Sequence, residues 1–508
     1  METLYINRRL KKLNTESEKS KSTVKKRRKD SLDSEELENE ALAKVQTERK
    51  VTKIPFNQED YEDAVKAIRE GKDQIRIYFG LCCLRKSQVK NYGIVKDLVR
   101  IVKTEKDRDI LYEASCLLLD LCNGTQKQVL HLIQNTALDG LREMIIMQDE
   151  EISKFAINTL VNWAIKSASV RDSLVQEDTH TFIIDLLPDL EEGQMVNDCL
   201  IFLCNLFRKH PMMEDQYVKA IIPGLITYLK WLDDTLELET ILEMEGLGIE
   251  DEDIFQTSKE NTRKDITISI LWALSFLPER KICKLCMLDE DLMLLVLKCF
   301  RESKNPYLRL PALRFLGNVC SDDDILAKKL MVDYNFAEAL KTSIKDKKTF
   351  LRKETCWVAS NIVCGPMSNI FLVMKNLLED ICHMYLYDTP QIMEEASCIL
   401  LNCTQKINER TIECLCKADI IDIFAKKIEQ EKLNETQEDI ILTFLEEFLK
   451  KTMRFPPHKE IKTIYRESKV MEFIKEKALT KSESSNGIKA YDILARYFRD
   501  IKEELFPK

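Results

Sequence analysis

From about Pro55 onward, apolar residues return at helical spacing, and the apolar blocks are separated by short loops. The loops carry the expected breakers, at Asn123-Gly124, Pro211, Pro278, Asn305-Pro306 and Gly365-Pro366. Inside the blocks one polar residue keeps returning in a similar apolar word: LVNWA at Asn162, FLCNLF at Asn205, FLGNVC at Asn318, VASNIV at Asn361 and LLNCT at Asn402. The intervals are 43 (162 to 205), 43 (318 to 361) and 41 (361 to 402) residues. The interval of 113 from Asn205 to Asn318 is two such periods plus about 28 residues. A period near forty predicts a stacked helical solenoid in which each repeat is one supersecondary unit.

Composition agrees with helix. Gly and Pro number 12 each in 508 residues, and 44% of the chain is apolar, enough for a continuous core. The length exceeds one ordinary core, which also favours an array. The net charge of -9 argues against nucleic-acid binding by the body of the protein. No apolar run reaches the length of a membrane span. The 17 cysteines are scattered in helical contexts, as at Cys199, Cys204, Cys320 and Cys398. With no secretory signal, they read as reduced core thiols of a cytosolic or nuclear protein.

Two segments differ in kind. Residues 1–29 hold eleven Lys/Arg against three Glu, including Lys25-Lys26-Arg27-Arg28-Lys29, and residues 30–42 hold six acidic residues and no basic one. Residues 1–54 are therefore expected to be disordered alone, although 32–50 has helical spacing and can fold on a partner. The second break, at 233–265, begins with ten Asp/Glu and no Lys/Arg in 233–253. It predicts a solvated, disordered loop between repeats, or an acidic flap over a basic ligand. The repeats are expected to occupy 55–455, and a final helical unit at 456–508 caps the stack.

Asparagine is a poor helix-interior residue because its amide competes with the backbone. One alone is usually a satisfied core or helix-end group, but five in register form a ladder. Each amide carries one acceptor oxygen and two donor hydrogens, which suits the N–H and C=O groups of a foreign extended peptide. Trp357 precedes Asn361 by four residues and shares its helix face, where it can wall a slot for an aliphatic stem ending in a cation. Trp272 stands in a similar word, with Ser275 and Phe276 in place of the asparagine. The competing role for either tryptophan is core packing.

The words TCWVASNI (355–362), PALRFLGNV (311–319) and ILWALSFL (270–277) resemble the armadillo repeats of the importin alpha (karyopherin alpha) family. The basic N-terminus followed by ERKVTKIP (48–55) resembles that family's importin-beta-binding segment, and Ala495-Arg496-Tyr497-Phe498 resembles its last repeat. The resemblance implies an all-α, right-handed superhelical armadillo solenoid with a largely disordered basic N-terminal segment. It also implies an adaptor shuttling between cytoplasm and nucleus, which binds Lys/Arg-rich localisation signals of cargo in a concave groove. An importin beta receptor would engage the N-terminal segment, and an exportin is a further partner for the C-terminal repeat. No cofactor, nucleic acid or membrane insertion is implied.

Carried over residue by residue, the family's minor site matches at Arg314, Asn318, Asp324, Trp357, Asn361 and Asn402, with Cys398 replacing a tryptophan. Trp272 falls between the two sites. The major site is degenerate. Asp120 stands for an asparagine, Asn162 and Asn205 match, and Cys116, Asn158 and Ile201 replace tryptophans. Arg171-Asp172 also match. Lys166 stands where the family has the acid that pairs with the key ligand lysine, and two like charges about 4 Å apart repel by ~1 kcal/mol in water. At the N-terminus, Arg8 and Arg9 match the receptor-binding cluster and Lys25, Lys26, Arg27, Arg28 and Lys29 the autoinhibitory run. The latter cluster reads equally as a solvated arm or a localisation signal. Glu35, Glu36, Glu38 and Glu40 oppose binding to an acidic receptor surface.

The alternative function is an armadillo scaffold that has lost general signal binding, which the missing major-site tryptophans favour. Catalysis is not expected: there are five His, no HExxH, P-loop or nucleophile elbow, and Cys283-Lys284-Leu285-Cys286 is a lone CxxC without a second pair at zinc spacing.

Overall fold

The computed structural model describes residues 58–507, with breaks at 88–91, 148, 191–192, 209–210, 245–252, 278, 431, 454–457 and 481–483. Only the backbone is described at 234–244, 253–262, 279–280, 283, 286–287 and 458–459. The receptor-binding and autoinhibitory assignments at Arg8, Arg9 and Lys25–Lys29 therefore fall outside the described residues, as do the CxxC side chains.

The described residues are helical without a strand, and they form an armadillo-type stack in which two shorter helices usually precede a long third one. By contacts the chain divides into Met1–Leu174 and Val175–Lys508. The first unit holds α1 (Gln58–Glu70), α2 (Gln74–Ser87), α3 (Val95–Thr104), α4 (Arg108–Cys122), α5 (Gln126–Gln134), α6 (Ala137–Ile146) and α7 (Glu150–Lys166); α8 (Ala168–Gln176) crosses the division. The second begins with α9 (Thr179–Leu186), α10 (Gln194–Phe207), α11 (Asp215–Met244), α12 (Asp253–Ser275), α13 (Glu279–Leu288), α14 (Glu290–Glu302) and α15 (Pro306–Asp322). It continues through α16 (Asp324–Val332), α17 (Phe336–Ser343), α18 (Thr349–Val363), α19 (Met367–Tyr387), α20 (Pro390–Cys403), α21 (Glu409–Lys417), α22 (Ile420–Gln430) and α23 (Glu435–Thr452). It closes with α24 (His458–Glu467), α25 (Lys469–Leu479), α26 (Ser485–Tyr497) and α27 (Arg499–Leu505).

The third helices pack side by side. In the first unit α2 lies on α4 and α4 on α7; in the second the order is α10, α12, α15, α18, α20, α23, α26. Local chemistry sets their starts. Asp107, Asp149 and Asn305 cap α4, α7 and α15, each accepting from backbone N–H groups of the first turn. The Ile152 N–H, helped by Arg108, outweighs burial and holds the Asp149 carboxyl below its usual range. The turn between first and second helices uses a left-handed residue at Thr136, Asp178, Asn335 and Asp419, two of which are 42 residues apart (136 to 178) and two 84 (335 to 419). Asp and Asn tolerate this conformation better than most side chains.

In the described part of the acidic break at 233–265 the chain is helical where its charge predicts a loop, and residues 245–252 lie outside the described residues. α11 runs on to Met244 and α12 starts at Asp253. The physical reason lies in the composition: Glu and Leu dominate 235–244, and both are strong helix formers, so the acidic block lengthens a helical hairpin.

Candidate peptide-binding face

The asparagines of the second unit are first of all tethers between repeats. Asn318 on α15 donates through Nδ2 to the Ser275 carbonyl on α12, at 2.9 Å. Asn361 on α18 donates to the Gly317 carbonyl on α15 at 3.4 Å, and Asn402 on α20 donates to Ser360 Oγ on α18 at 3.3 Å. Each bond reaches back one repeat. Burial separates the rungs: Asn318 is 9% exposed and Asn205 4%, whereas Asn361 and Asn402 are half-buried. Asn205 Oδ1 accepts from Arg208 at 3.3 Å. Asn361 and Asn402 are thus the rungs that reach the surface, and the Asn402 amide offers polar groups beyond its tether.

Trp357 is 7% exposed and lies against α15. This approach requires glycine at 317, because a Cβ there would run into the Trp357 ring and within 2.7 Å of Val358 Cγ2. Over the ring sits Arg314, its guanidinium 4.9 Å from the centroid. Arg314 is fixed by a forked ion pair with Glu354, Nη2 to Oε2 at 2.8 Å, and the Glu354 side chain is only 6% exposed. The slot assigned to a foreign cation therefore already holds one of the protein's own. Further along, Trp272 stacks on Phe276 at 5.9 Å, and Arg208 sits over Phe276 at 5.9 Å. Asp324 is exposed at the start of α16, and its backbone carbonyl accepts from Asn369 Nδ2 at 3.1 Å.

In the first unit a different set lies on the third helices α4 and α7. Asp120 on α4 is exposed, as are Asn162 and Lys166 one turn apart on α7. Cys116 stands between Tyr112 and Arg85, and burial pushes its thiol up despite the arginine. Arg85 pairs with Glu113 at 2.9 Å, and Tyr112 donates to Glu151 at 3.1 Å. Arg171 is fully buried and paired with Asp172. Asn205 belongs to the second unit, so the three degenerate-site residues are not one described cluster.

Sequence reading missed four participants: Glu354, Gly317, Ser360 and Trp163. Trp163 is 2% exposed and donates from Nε1 to the Cys122 carbonyl at 3.0 Å, doing in its repeat what the asparagines do elsewhere. The signals were present. Gly317 sits mid-helix, where glycine is costly, and Arg314 and Glu354 are 40 residues apart, one repeat. Cys199, Cys204 and Cys320 are buried and Cys398 half-buried, all as thiols outside any disulfide, with burial pushing Cys199 and Cys204 up to about 12.

No protein-family model matches the chain. Among curated proteins, importin subunit alpha-2 of Caenorhabditis elegans is 23% identical over 274 residues, which is 54% of this chain and 46% of that protein. Importin subunit alpha-1a of Oryza sativa subsp. japonica is 21% identical over 291 residues, 57% and 49% of the two chains. The matches span about half the length of these relatives. Among solved structures, the crystal structure of an engineered protein aligns with a TM-score of 0.58 at 17% identity, covering 88% of this chain and 97% of that one, a likeness of fold alone. The chain is an armadillo-type solenoid with distant sequence similarity to importin alpha subunits.

Proposed function

We propose that this protein is a nuclear import adaptor that binds Lys/Arg-rich localisation signals as extended peptides on the third helices α15, α18 and α20. The observation that carries the reading is the register of Asn318, Asn361 and Asn402 on three successive packed helices, with Trp357 on the middle one. Packed helices stand about 8–10 Å apart, and an extended peptide advances about 3.3 Å per residue, so each rung meets roughly every third ligand residue. Amides at that spacing hold backbone; Trp357, Glu354 and Asp324 supply the aromatic face and negative charge for cationic side chains.

In this reading the protein is a binding module without catalytic chemistry. It moves between cytoplasm and nucleus and meets an importin beta receptor through Arg8, Arg9 and the following basic residues, with Lys25–Lys29 able to occupy the groove in its absence. An exportin at the C-terminal repeat completes the cycle.

Arg314 over Trp357 supports a second reading, a scaffold that has lost general signal binding, because a ligand cation must displace or flank a guanidinium already in place. Titrating a labelled Lys-rich peptide against the full chain, and against the chain beginning at residue 55, separates the two. The adaptor reading expects saturable binding at near-physiological salt, tighter in the shorter chain. No saturable binding to either leaves the scaffold.

A further inference from the structure

The loops that lead into α15 and α18 form a second, oppositely charged site. An open cleft of about 690 Å³ is lined by Lys304 on the first loop, by Lys341 and Lys345 on α17 and its end, and by Lys347 and Lys348 before α18. Arg309 in this cleft is neutralised by Asp346 at 2.6 Å, and Lys345 by Asp380 at 3.0 Å. The ammonium groups of Lys304, Lys341, Lys347 and Lys348 have no ion pair among the described residues. Four cations without an ion pair thus line one cleft in a chain of net charge -9, while Lys298 and Lys329 on the neighbouring helices are paired with Asp233 and Glu290.

The arrangement selects among anions. Lys304 and Lys348 are separated by one repeat (304 to 348) and stand before successive third helices, so the charges are drawn from two neighbouring repeats about one helix spacing apart. Glu338 also lines the cleft, and a dense polyanion would be repelled by it. Beside the lysines, Tyr307 stacks on Phe350 at 5.6 Å and is 59% exposed, offering an apolar platform. An extended peptide presents alternate side chains on one face about 7 Å apart, which suits charges drawn from two neighbouring repeats and flanked by an aromatic ring.

We propose that this cleft docks an extended Asp/Glu-rich segment of another protein, with an aromatic or aliphatic residue of that segment resting on Tyr307. Lys348 precedes Trp357 by nine residues, about 13 Å along α18, so the acidic ligand and a basic peptide on the asparagine face occupy different ends of the same helices.

The test uses the full chain and a labelled Glu/Asp-rich peptide containing one Phe, followed by anisotropy at low salt. Saturable binding is expected, weakened about tenfold or more when Lys304→Ala, Lys341→Ala, Lys347→Ala and Lys348→Ala are combined, and kept when the same four positions become Arg. A Lys-rich peptide titrated in parallel should bind the Ala variant as it binds the parent. Absence of saturable binding, equal binding by the Ala variant, or tighter binding of a single-stranded oligonucleotide of the same length would overturn the proposal. A matching loss of the Lys-rich peptide would overturn the separateness of the cleft.

Discussion

The guanidinium of Arg314 lies over the indole of Trp357, 4.9 Å from its centroid, and the carboxylate that holds it there, Glu354, is one turn before the tryptophan on α18. The slot is thus self-filled, and its opening is a matter of one side chain. Arg314→Ala is expected to tighten a Lys-rich peptide several-fold, since the ligand cation takes over both the ring and the carboxylate; such contacts are worth about 0.5–2 kcal/mol. The same change leaves Glu354 buried without its partner and should lower stability by about 1–3 kcal/mol. Peptide titration alongside a denaturant melt reads both effects, and weaker binding by the variant would mean that Arg314 itself contacts the peptide.

The tethering role of the asparagines can be separated from any role in binding. Asn318→Leu removes the donor to the Ser275 carbonyl within the α12–α15 contact and should cost about 1–3 kcal/mol. Asn402→Ala, at a half-buried rung bonded only to a hydroxyl at 3.3 Å, should cost less than about 1 kcal/mol while weakening peptide binding. Hydrogen exchange across α12 and α15 is the direct readout. Equal costs at the two sites would remove the distinction between inner and outer rungs.

Trp357→Ala is predicted to weaken a Lys-rich peptide more than Cys116→Ala or Ile201→Ala, because Cys116 and Ile201 offer no indole, whereas Trp357 stands one turn before Asn361, a ladder asparagine that keeps solvent exposure. Titrations of the three variants against one peptide decide this. Equal losses would move the stronger site away from α18.

How much of this was legible follows from what repetition records. The asparagine words gave the period and marked the third helices, because Asn318, Asn361 and Asn402 each supply the same donor to the preceding third helix. The Gly317–Trp357 contact and the Arg314–Glu354 pair join residues one repeat apart in the middle of helices, so the mid-helix glycine and the repeat spacing hint at them but no local pattern names the partners. Trp163 was hidden in plain view: it occupies the asparagine word of its own repeat but turns inward to the Cys122 carbonyl. The acidic block at 233–265 misled because charge density argues for solvent while Glu and Leu argue for helix, and on this backbone helix prevails.

Lys166 stands exposed at the end of α7, one turn beyond exposed Asn162. Lys166→Asp replaces a repelling charge with an attracting one and should strengthen a basic peptide on the first unit by roughly tenfold, from a swing of about 1–2 kcal/mol in a partly hydrated site. Titration at two salt concentrations checks it, since the gain should shrink at high salt. An unchanged affinity would show that no ligand cation passes Lys166.

The last test concerns how the repeats are fastened. Arg352 on α18 grips Asp388, just before α20, through two bonds of 2.8 Å each, and the two side chains are 17% and 7% exposed. Burial pushes the Asp388 carboxyl up, but the Arg352 bonds and the Thr389 N–H outweigh it and hold the group below the usual carboxylate range. A depressed carboxyl contributes stability that is fully present above its unfolded value, about 3.9, and is lost as pH falls through the lower folded value. In Arg352→Leu the burial cost alone remains, so the carboxyl moves up and the variant is penalised wherever Asp388 stays charged. The deficit, about 2–3 kcal/mol near neutral pH, should therefore begin to shrink as pH falls through the raised folded value of the variant, and shrink further below ~4 as the parent loses its own charged pair. Urea midpoints of parent and variant between about pH 3 and pH 7 measure it. A deficit that does not change with pH would show that the pair contributes through packing of the arginine stem and not through charge.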